Sequence, residues 1–246
     1  MLEDKRIIVT GSARGMGLAT LTAFVQAGAR VVGMDINDAD GEQAARDANA
    51  LGPGKASYLH IDIADKSSVE TAFQEAVNWL GGLDVLAHPA AIQAGSAASD
   101  VSVEHWDQMF AVNVRGTMIT NQAAYHHMKA AGGGSIINFG SISGQRAEPG
   151  AVAYSASKGA VHSWTRSAAG AWGMDRVRVN AILPAMATPM YQEAMALLTE
   201  QQAAESFWMN HRSIALGQEY GDPLTDLGPV MVFFASDASK FITGQL

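Results

Sequence analysis

Short apolar runs alternate with longer amphipathic stretches along most of the chain. The runs RIIVTG, RVVGMDI, SYLHIDI, LDVLAH, GSIINFGS and VRVNAIL are continuously apolar and rich in Val and Ile, which is typical of strands buried on both faces of a parallel sheet. Strands that alternate with helices in this way predict an α/β fold, a single-domain Rossmann-like doubly wound parallel sheet flanked by helices. No linker interrupts the pattern, so we expect one domain over residues 1–246.

The stretches between the strands space their apolar residues as helices do. We predict helices over residues 15–28, 39–51, 66–80, 103–129, 151–172 and 224–235. Residues 188–216 form a longer helical insert that carries several methionine and aromatic residues.

The turn TGSARGMG follows the first predicted strand and opens the first predicted helix. Gly11 permits a tight turn, Gly15 lets the backbone approach a pyrophosphate, and Gly17 allows close packing of the helix. The N–H groups and the dipole at the start of the helix favour a phosphate. The spacing is GxxxGxG rather than GxGxxG, and the motif alone leaves open an ordinary glycine-rich turn.

Acidic residues end the second and third predicted strands. Asp35 stands where a carboxylate accepts hydrogen bonds from the adenosine ribose and repels a 2′-phosphate, which favours NAD over NADP. Arg14 in the glycine turn is a signal in the opposite direction, because a cation there could reach a 2′-phosphate. Asp62 could accept a hydrogen bond from an adenine amino group or cap a helix.

The stretch AYSASKGA places Tyr154 and Lys158 four residues apart on one face of a predicted helix. A phenol is a poor base at neutral pH, and a neighbouring ammonium group favours its ionised form. Ser141 ends the preceding strand, at the sheet edge where open α/β sheets bind ligands. A serine, a tyrosine and a lysine are therefore expected beside a dinucleotide site.

Taken together, these stretches resemble the short-chain dehydrogenase/reductase family, in its short single-domain branch. The matching segments are TGSARGMG, Asp35, the Asp62–Ile63 pair, VNVRG around Asn113, GSISG around Ser141, YSASK, VRVNAILPA and FITGQ. The resemblance extends over essentially the whole chain. It implies an enzyme, an NAD(H)-dependent oxidoreductase that interconverts a secondary alcohol and a ketone by hydride transfer.

The resemblance also implies roles for five residues. Tyr154 would be the general acid/base, and Lys158 would lower its pKa and bind the nicotinamide ribose. Ser141 would hold the substrate oxygen, Asn113 would hold a water of a proton relay, and Thr188 would contact the nicotinamide carboxamide.

The candidate site residues fall into two further sets. The NAD-binding candidates are Gly11, Arg14, Gly15, Met16, Gly17, Asp35, Ile36, Asp62, Ile63, Ala90, Ala91, Tyr154, Lys158, Pro184 and Thr188. The substrate-lining candidates are Gln93, Ser143, Gln145, Met186, Met190 and Trp208.

The sequence departs from the family pattern at HPAA, residues 88–91, where Asn-Asn-Ala-Gly is usual. Ala91 adds a methyl group close to the expected cofactor, and Pro89 removes an N–H where the strand has ended. We expect His88 to be structural, since Tyr154 already fills the proton-transfer role. Pro184 is followed by alanine where glycine is usual, and the resemblance implies one more strand after FITGQL.

Composition narrows the classes of partner. The net charge of −8 argues against nucleic acid and anionic membranes. The absence of cysteine excludes disulfides and thiolate sites and fits the cytoplasm. The N-terminus resembles no signal peptide, and the adjacent His126 and His127 point in different directions, so no metal site is expected. A small-molecule alcohol or ketone is the expected partner.

The family places a substrate lid at the insert, residues 188–216, and a subunit contact on the helices that carry Asn113 and Tyr154. We therefore expect a homotetramer or dimer. Methionine-rich surfaces adapt to apolar shapes, which predicts an apolar or cyclic substrate unless these residues only cover the core. Two other functions stay open: an NADP-dependent ketoreductase acting on 3-oxoacyl thioesters, and a non-catalytic dinucleotide-binding protein.

Overall fold

Parallel strands form the centre of the molecule. This computed structural model describes residues 1–212 and 214–246, apart from the side chains of Met190, Ala194 and residues 206–210. The described strands are β1 (Arg6–Thr10), β2 (Arg30–Asp35), β3 (Lys55–His60), β4 (Val85–His88), β5 (Gly134–Phe139) and β6 (Val177–Ile182). Their order in the sheet is β3-β2-β1-β4-β5-β6. The predicted parallel, doubly wound α/β fold is confirmed.

Helices connect successive strands and cover both faces of the sheet. They are α1 (Gly15–Gln26), α2 (Asp38–Leu51), α3 (Lys66–Leu80), α4 (Val103–Phe110), α5 (Thr117–Ala131), α6 (Val152–Trp172), α7 (Pro189–Ala196), α8 (Glu200–His211) and α9 (Gly228–Ala235). Side-chain caps begin several of them: Asn37 accepts from the Asp40 amide, Asp65 from Ser67 and Ser102 from His105. These caps satisfy backbone N–H groups that a helix start leaves free.

Two predicted elements differ from the structure. The predicted helix over 103–129 is divided into α4 and α5 by a π-helical segment, Ala111–Gly116. The predicted helix over 224–235 begins as a second π-helical segment, Pro223–Leu227, before α9. Apolar spacing alone does not distinguish a π-helical turn from an α-helical one. The predicted helical insert over 188–216 contains α7 and α8.

One buried apolar cluster lies on each face of the sheet. The first contains Phe73, Leu80 and Met128 from α3 and α5. The second contains Phe24 from α1 and Met231 from α9. Among the described residues, no helix combines the length and apolarity needed to cross a bilayer.

The chain returns to the edge of the sheet after α9. The Gly244 N–H donates to the Val179 carbonyl at 2.8 Å, and the Ala181 N–H donates to Gln245 at 2.9 Å. These last residues therefore bind along β6.

The strand order creates the site. In the sheet, β2 lies on one side of β1 and β4 lies on the other. The connection after β1 therefore runs toward one edge of the sheet, and the connection that leads to β4 and onward runs toward the opposite edge. Such a switch point opens a crevice at the carboxyl ends of the strands.

Candidate active site

A groove of about 390 Å³ opens at this carboxyl edge. It runs from the glycine turn past the ends of β2, β3 and β4 to the first turns of α6 and α7. All but one of the fifteen NAD-binding candidates line it; they are Gly11, Arg14, Gly15, Met16, Gly17, Asp35, Ile36, Asp62, Ile63, Ala90, Ala91, Tyr154, Lys158 and Thr188. Pro184 is the exception, because it lies before the turn into α7 and is not among the lining residues.

The glycine turn depends on two glycines for different reasons. A Cβ on Gly17 would lie 1.9 Å from the Gly11 carbonyl oxygen, so only glycine fits there. Gly15 has a φ of +58°, in the left-handed region, and the nearest atom to a Cβ there would be 3.9 Å away, on Pro189. Gly15 therefore leaves an open cradle in front of α1.

The start of α1 fits an anionic group. Arg14 occupies the N-cap position but its side chain makes no capping hydrogen bond, so the first N–H groups of the helix keep their capacity to donate. Together with the open cradle at Gly15, these donors fit the pyrophosphate of a dinucleotide.

The two strand-end carboxylates have backbone partners. Asp35 accepts hydrogen bonds from the Ala13 and Asn37 amides, both at 3.0 Å, which fixes its carboxylate at the groove. Asp62 accepts from the Ala64 amide at 2.9 Å and does not cap α3, because Asp65 does. Both side chains line the groove, as a ribose and adenine contact requires.

Arg14 lines the groove and has an ionic partner on α7. Its guanidinium lies 3.8 Å from the Glu193 carboxylate of α7, and both side chains are mostly exposed. Exposed ion pairs of this kind are weak, so Arg14, which lines the groove together with Asp35, stays a signal for a 2′-phosphate.

Tyr154 and Lys158 line the other end of the groove, and the Ser141 side chain lies next to them, hydrogen-bonded to Tyr154. Ser141 follows β5 and accepts a hydrogen bond from the Ser143 amide at 3.2 Å. Lys158 is almost fully buried; its Nζ donates to the Phe139 carbonyl at 2.8 Å and lies 5.6 Å from the centre of the Tyr154 ring. The predicted triad is therefore assembled on β5 and α6.

The expected effect of Lys158 on Tyr154 differs from what the structure gives. Burial raises the pKa of Tyr154 above its usual value, against a lowering contribution from the Ser141 hydroxyl, and the charge of Glu148 raises it further. Burial also lowers the pKa of Lys158 to about 8. The ammonium group lies over the face of the ring, 5.6 Å from its centre, and is bound to a carbonyl. Its positive charge favours the phenolate, and burial outweighs this effect in the structure.

Asn113 lies in the π-helical segment and holds the loop after β4. Its Oδ1 accepts from the Ile92 amide and its Nδ2 donates to the Ile92 carbonyl, both at 2.9 Å. Nδ2 also lies 3.1 Å from the Ser157 hydroxyl, one residue before Lys158. The side chain is thus occupied by protein partners, and the expected role in holding a water stays a prediction.

His88 is buried beneath the groove rather than exposed in it. Only 3% of it is accessible, and its Nδ1 lies 2.7 Å from the Thr10 hydroxyl. Burial, with a smaller effect from Lys158, lowers the pKa of His88 to about 3, so the ring is neutral at physiological pH. This is the geometry of a structural histidine that joins β4 to β1. Pro89, Ala90 and Ala91 follow it along the groove wall.

Sequence reasoning missed His162. Its Nε2 accepts a hydrogen bond from the Ser141 amide at 3.2 Å, and burial lowers its pKa. A Cβ on Gly140 would lie 2.4 Å from this ring, and one on Gly144 would lie 2.8 Å from it. The pair of glycines in FGSISG, which makes room for a ring, is the signal that could have revealed it.

The substrate-lining candidates are divided by the structure. Gln93 lines the groove. Ser143 does not line it, but its amide donates to the Ser141 hydroxyl. Gln145 is exposed, and Met186 packs against the second apolar cluster and bridges to Gly221. Neither of these two lines the groove. The candidates Met190 and Trp208 lie outside the described side chains.

Other expectations concern metals and the lid. In the described part of the chain, no group of three or more His, Asp or Glu residues is arranged to hold a metal ion.

The predicted lid is held by aromatic contacts. The hydroxyl of Tyr191 in α7 lies 3.1 Å from Nε2 of His211 in α8, and both rings contact Tyr220. Through Thr188 and Pro189 the lid forms one wall of the groove.

Known proteins share this arrangement. A family model described as "Enoyl-(Acyl carrier protein) reductase" matches residues 11–246. The chain is 37% identical to a "probable galactose dehydrogenase" of Rhizobium meliloti, over 99% of this chain and 93% of that protein. It is 34% identical to a cyclopentanol dehydrogenase of Comamonas, over 99% and 94%. A solved short-chain type dehydrogenase/reductase from Mycobacterium ulcerans superimposes with a TM-score of 0.90 at 28% identity, covering 99% of this chain and 87% of that one.

Proposed function

Because this chain belongs to the short-chain dehydrogenase/reductase family, we propose that it uses NAD(H) to interconvert a secondary alcohol and a ketone. The observation that carries the proposal is the content of one groove. A phosphate cradle lies at one end, and Tyr154 and Lys158 line the other, with the Ser141 side chain hydrogen-bonded to Tyr154 beside it. A dinucleotide bound along it would bring its nicotinamide to the reactive side chains.

The protein supplies positions and proton transfer, and the nicotinamide supplies the hydride acceptor or donor. The Ser141 hydroxyl holds the substrate oxygen. Tyr154 takes the alcohol proton during oxidation and returns a proton to the carbonyl oxygen during reduction. The raised pKa of Tyr154 keeps it as a phenol at neutral pH, which suits proton donation. Alcohol oxidation needs the phenolate, so its rate should increase with pH.

Asp35 supports NAD as the cofactor. Its carboxylate is fixed on the groove wall by two amides, and a 2′-phosphate beside it would meet a negative charge. The rival is an NADP-dependent ketoreductase. Arg14 favours it, as does the name of a relative from Thermotoga maritima, 31% identical to this chain, which is a 3-oxoacyl-[acyl-carrier-protein] reductase. A non-catalytic protein would have no need of the preserved Ser141, Tyr154 and Lys158 cluster.

The proposed substrate is a cyclic secondary alcohol or the matching ketone. The names of two relatives refer to galactose and cyclopentanol, both of which present a secondary hydroxyl on a ring. The narrower expectation of an apolar substrate rests on the methionine and aromatic residues of the insert, and it stays a prediction.

A parallel assay tests the reaction and the cofactor together. Nicotinamide absorbance would be followed with NAD and with NADP against cyclopentanol, galactose and cis-1,2-cyclohexanediol. We expect reduction of NAD by at least one of these alcohols and much slower reduction of NADP. Faster turnover with NADP would favour the ketoreductase, and tight NADH binding without turnover of alcohols or ketones would favour a binding protein.

The proposal extends to assembly as a homotetramer or dimer through α4, α5 and α6. A surface cavity of about 700 Å³ lies on this side and includes Phe110, Val114, Met118, Val161 and Trp164 in its lining. Light scattering should show an oligomer that Met118→Glu dissociates, and a wild-type monomer would contradict this.

Location in the cytoplasm stays a proposal that rests on the cysteine-free sequence.

A further inference from the structure

A charged cluster lies beside Tyr154, and the proton-transfer scheme does not use it. It consists of Ser143, Arg146 and Glu148, on the loop between β5 and α6, and we name it the mouth cluster. The Ser143 hydroxyl donates to Glu148 Oε2 at 3.2 Å, and Arg146 Nε donates to the same oxygen at 3.4 Å. The side chains of Arg146 and Glu148 are each about one-third exposed, 34% and 30%. They are within reach of a ligand without being free in solvent.

Hydrogen bonds fix the mouth cluster against the catalytic residues. The Ser143 amide donates to the Ser141 hydroxyl oxygen at 3.2 Å. The hydroxyl of Ser155, the residue after Tyr154, donates to the Ser143 carbonyl. Ser143 is thus held by both elements that carry the proposed reaction.

The charge of Glu148 acts on two tyrosines. After burial and the opposing effect of Ser141, it contributes to the raised pKa of Tyr154. Burial and Tyr191 raise the pKa of Tyr220; Arg146 lowers it, and Glu148 has the smallest effect, which raises it. The position of Glu148 follows from Ser143, whose hydroxyl bonds to Glu148 and whose amide bonds to Ser141, so Glu148 lies next to the proposed reaction centre.

The cluster keeps unused hydrogen-bonding capacity. Among the described residues, only Oε2 of Glu148 and Nε of Arg146 take part in side-chain hydrogen bonds. This leaves Glu148 Oε1 as an acceptor and the two terminal amino groups of Arg146 as donors. An acceptor and donors therefore stand side by side next to Ser141, to which Ser143 connects them.

These two charges select among kinds of ligand. An anionic group would be repelled by Glu148, and a cationic group would be repelled by Arg146. A wholly apolar ring would remove both charges from water without replacing their hydrogen bonds, which is costly. A hydroxyl group both donates and accepts, so it satisfies the two side chains at once.

We infer that the mouth cluster binds a second hydroxyl of the substrate, and that the substrate class is a neutral cyclic polyol or sugar with neighbouring hydroxyls. The inference rests on the proposed function, because the first hydroxyl must lie at Ser141 and Tyr154. It gives Glu148 the role of a specificity-determining residue.

The test is a comparison of two ligands that differ by one hydroxyl. Binding of cis-1,2-cyclohexanediol and of cyclohexanol to the enzyme–NADH complex would be measured by calorimetry. A hydrogen bond to a charged group predicts tighter binding of the diol by about 10- to 150-fold. Glu148→Gln and Arg146→Gln should each reduce this ratio, whereas Glu75→Gln, an exposed substitution on α3, should keep the wild-type ratio. Thermal unfolding would verify that each variant is folded.

The outcomes separate the inference from the proposed function. Equal binding of the two ligands by the wild-type protein, or an unchanged ratio in Glu148→Gln, overturns the inference. A diol preference that depends on Glu148, without reduction of NAD by the diol, supports the mouth cluster and contradicts the proposed reaction. Failure to bind NADH contradicts both, because the substrate site is then not built on a nicotinamide.

Discussion

The two ends of the groove are built in different ways. At the phosphate end, the backbone conformation determines the shape of the groove. Gly17 packs against the Gly11 carbonyl, and Gly15 adopts a left-handed conformation. At the reactive end, the structure is set by ionisable side chains whose charge depends on burial. Tyr154 has a raised pKa and Lys158 a lowered one.

This difference decides what each end tolerates. A backbone cradle fails when any side chain is added, whatever the pH. A cluster of titratable groups keeps its shape under substitution but changes its protonation with pH and with neighbouring charges. The glycine turn should therefore respond to added size, and turnover to charge and acidity.

The largest effect is expected at the reactive end, from Tyr154→Phe. Loss of the general acid/base should lower turnover by about 10²- to 10⁴-fold with a much smaller change in NADH affinity. Steady-state rates and NADH titrations on the same preparation would measure both. Tyr125→Phe is the matched control, because that hydroxyl bonds to Asp175 at the surface side of α5. Equal losses in the two variants would contradict the assignment.

The next largest effect concerns His88 and pH. Its pKa falls from 6.5 to about 3 on folding, so the unfolded chain binds a proton in this range and the folded chain does not. The contribution of His88 to the free energy of unfolding is fully present above pH 6.5 and is lost as the pH falls toward 3. At about 1.36 kcal/mol for each pKa unit, the loss from this group reaches about 3 kcal/mol at pH 4.

Denaturant unfolding at several pH values would show the effect of His88. His88→Asn retains a hydrogen-bonding side chain for Thr10 but does not titrate, so its free energy of unfolding should change less between pH 6.5 and 4. His126→Asn, at an exposed position of α5, should follow the wild-type curve. Parallel curves for wild type and His88→Asn would show that this histidine carries no acid penalty.

A smaller effect is expected at the phosphate end, from Gly17→Ala. The added methyl group would overlap the Gly11 carbonyl, and such overpacking costs about 1–3 kcal/mol. Gly170→Ala is the control: nothing lies within 4 Å of a Cβ there, and alanine within α6 should stabilise by about 0.5–1 kcal/mol. Thermal unfolding of both variants tests this, and equal melting temperatures would show that the turn has room to adjust.

The smallest effect is expected from Asp35→Asn. Removing one charge at the ribose position should shift the preference for NAD over NADP toward NADP by about tenfold, the lower limit for a hydrogen bond to a charged group. The ratio of kcat/KM for the two cofactors measures it. Asp38→Asn, at an exposed carboxylate that binds Tyr58 and His60, should leave the ratio as in the wild type. A ratio that Asp35→Asn does not change would favour Arg14 as the residue that decides the preference.

Most of the phosphate end could be predicted from the sequence, for the same reason that it depends on backbone. Glycine spacing and strand-end acids such as Asp35 report local conformation, and the structure places them along the groove. The strands were also predictable, since buried parallel strands are continuously apolar. The expectation that His88 is structural agrees with its burial and its contact with Thr10.

The reactive end was less predictable because its chemistry depends on contacts between distant residues. The lowered pKa of Tyr154 was expected from its spacing to Lys158, but spacing does not show that the ammonium binds the Phe139 carbonyl. Glu148 carries no motif, and His162 is indicated only by the two glycines that make room for its ring; both residues are found by their contacts with Ser143 and Ser141. The bonds between the Asn113 side chain and Ile92 likewise join residues whose contact the sequence pattern does not show.

The most direct test of the account is transfer of a labelled hydrogen. The alcohol of the panel that is oxidised fastest would be prepared with deuterium on the carbon that bears the hydroxyl, and the reduced cofactor would be examined by mass spectrometry. Direct hydride transfer from the secondary alcohol predicts NADH that carries one deuterium, formed slowly or not at all by Tyr154→Phe. Reduced cofactor without deuterium, or no reduction of NAD by any alcohol of the panel, would contradict it.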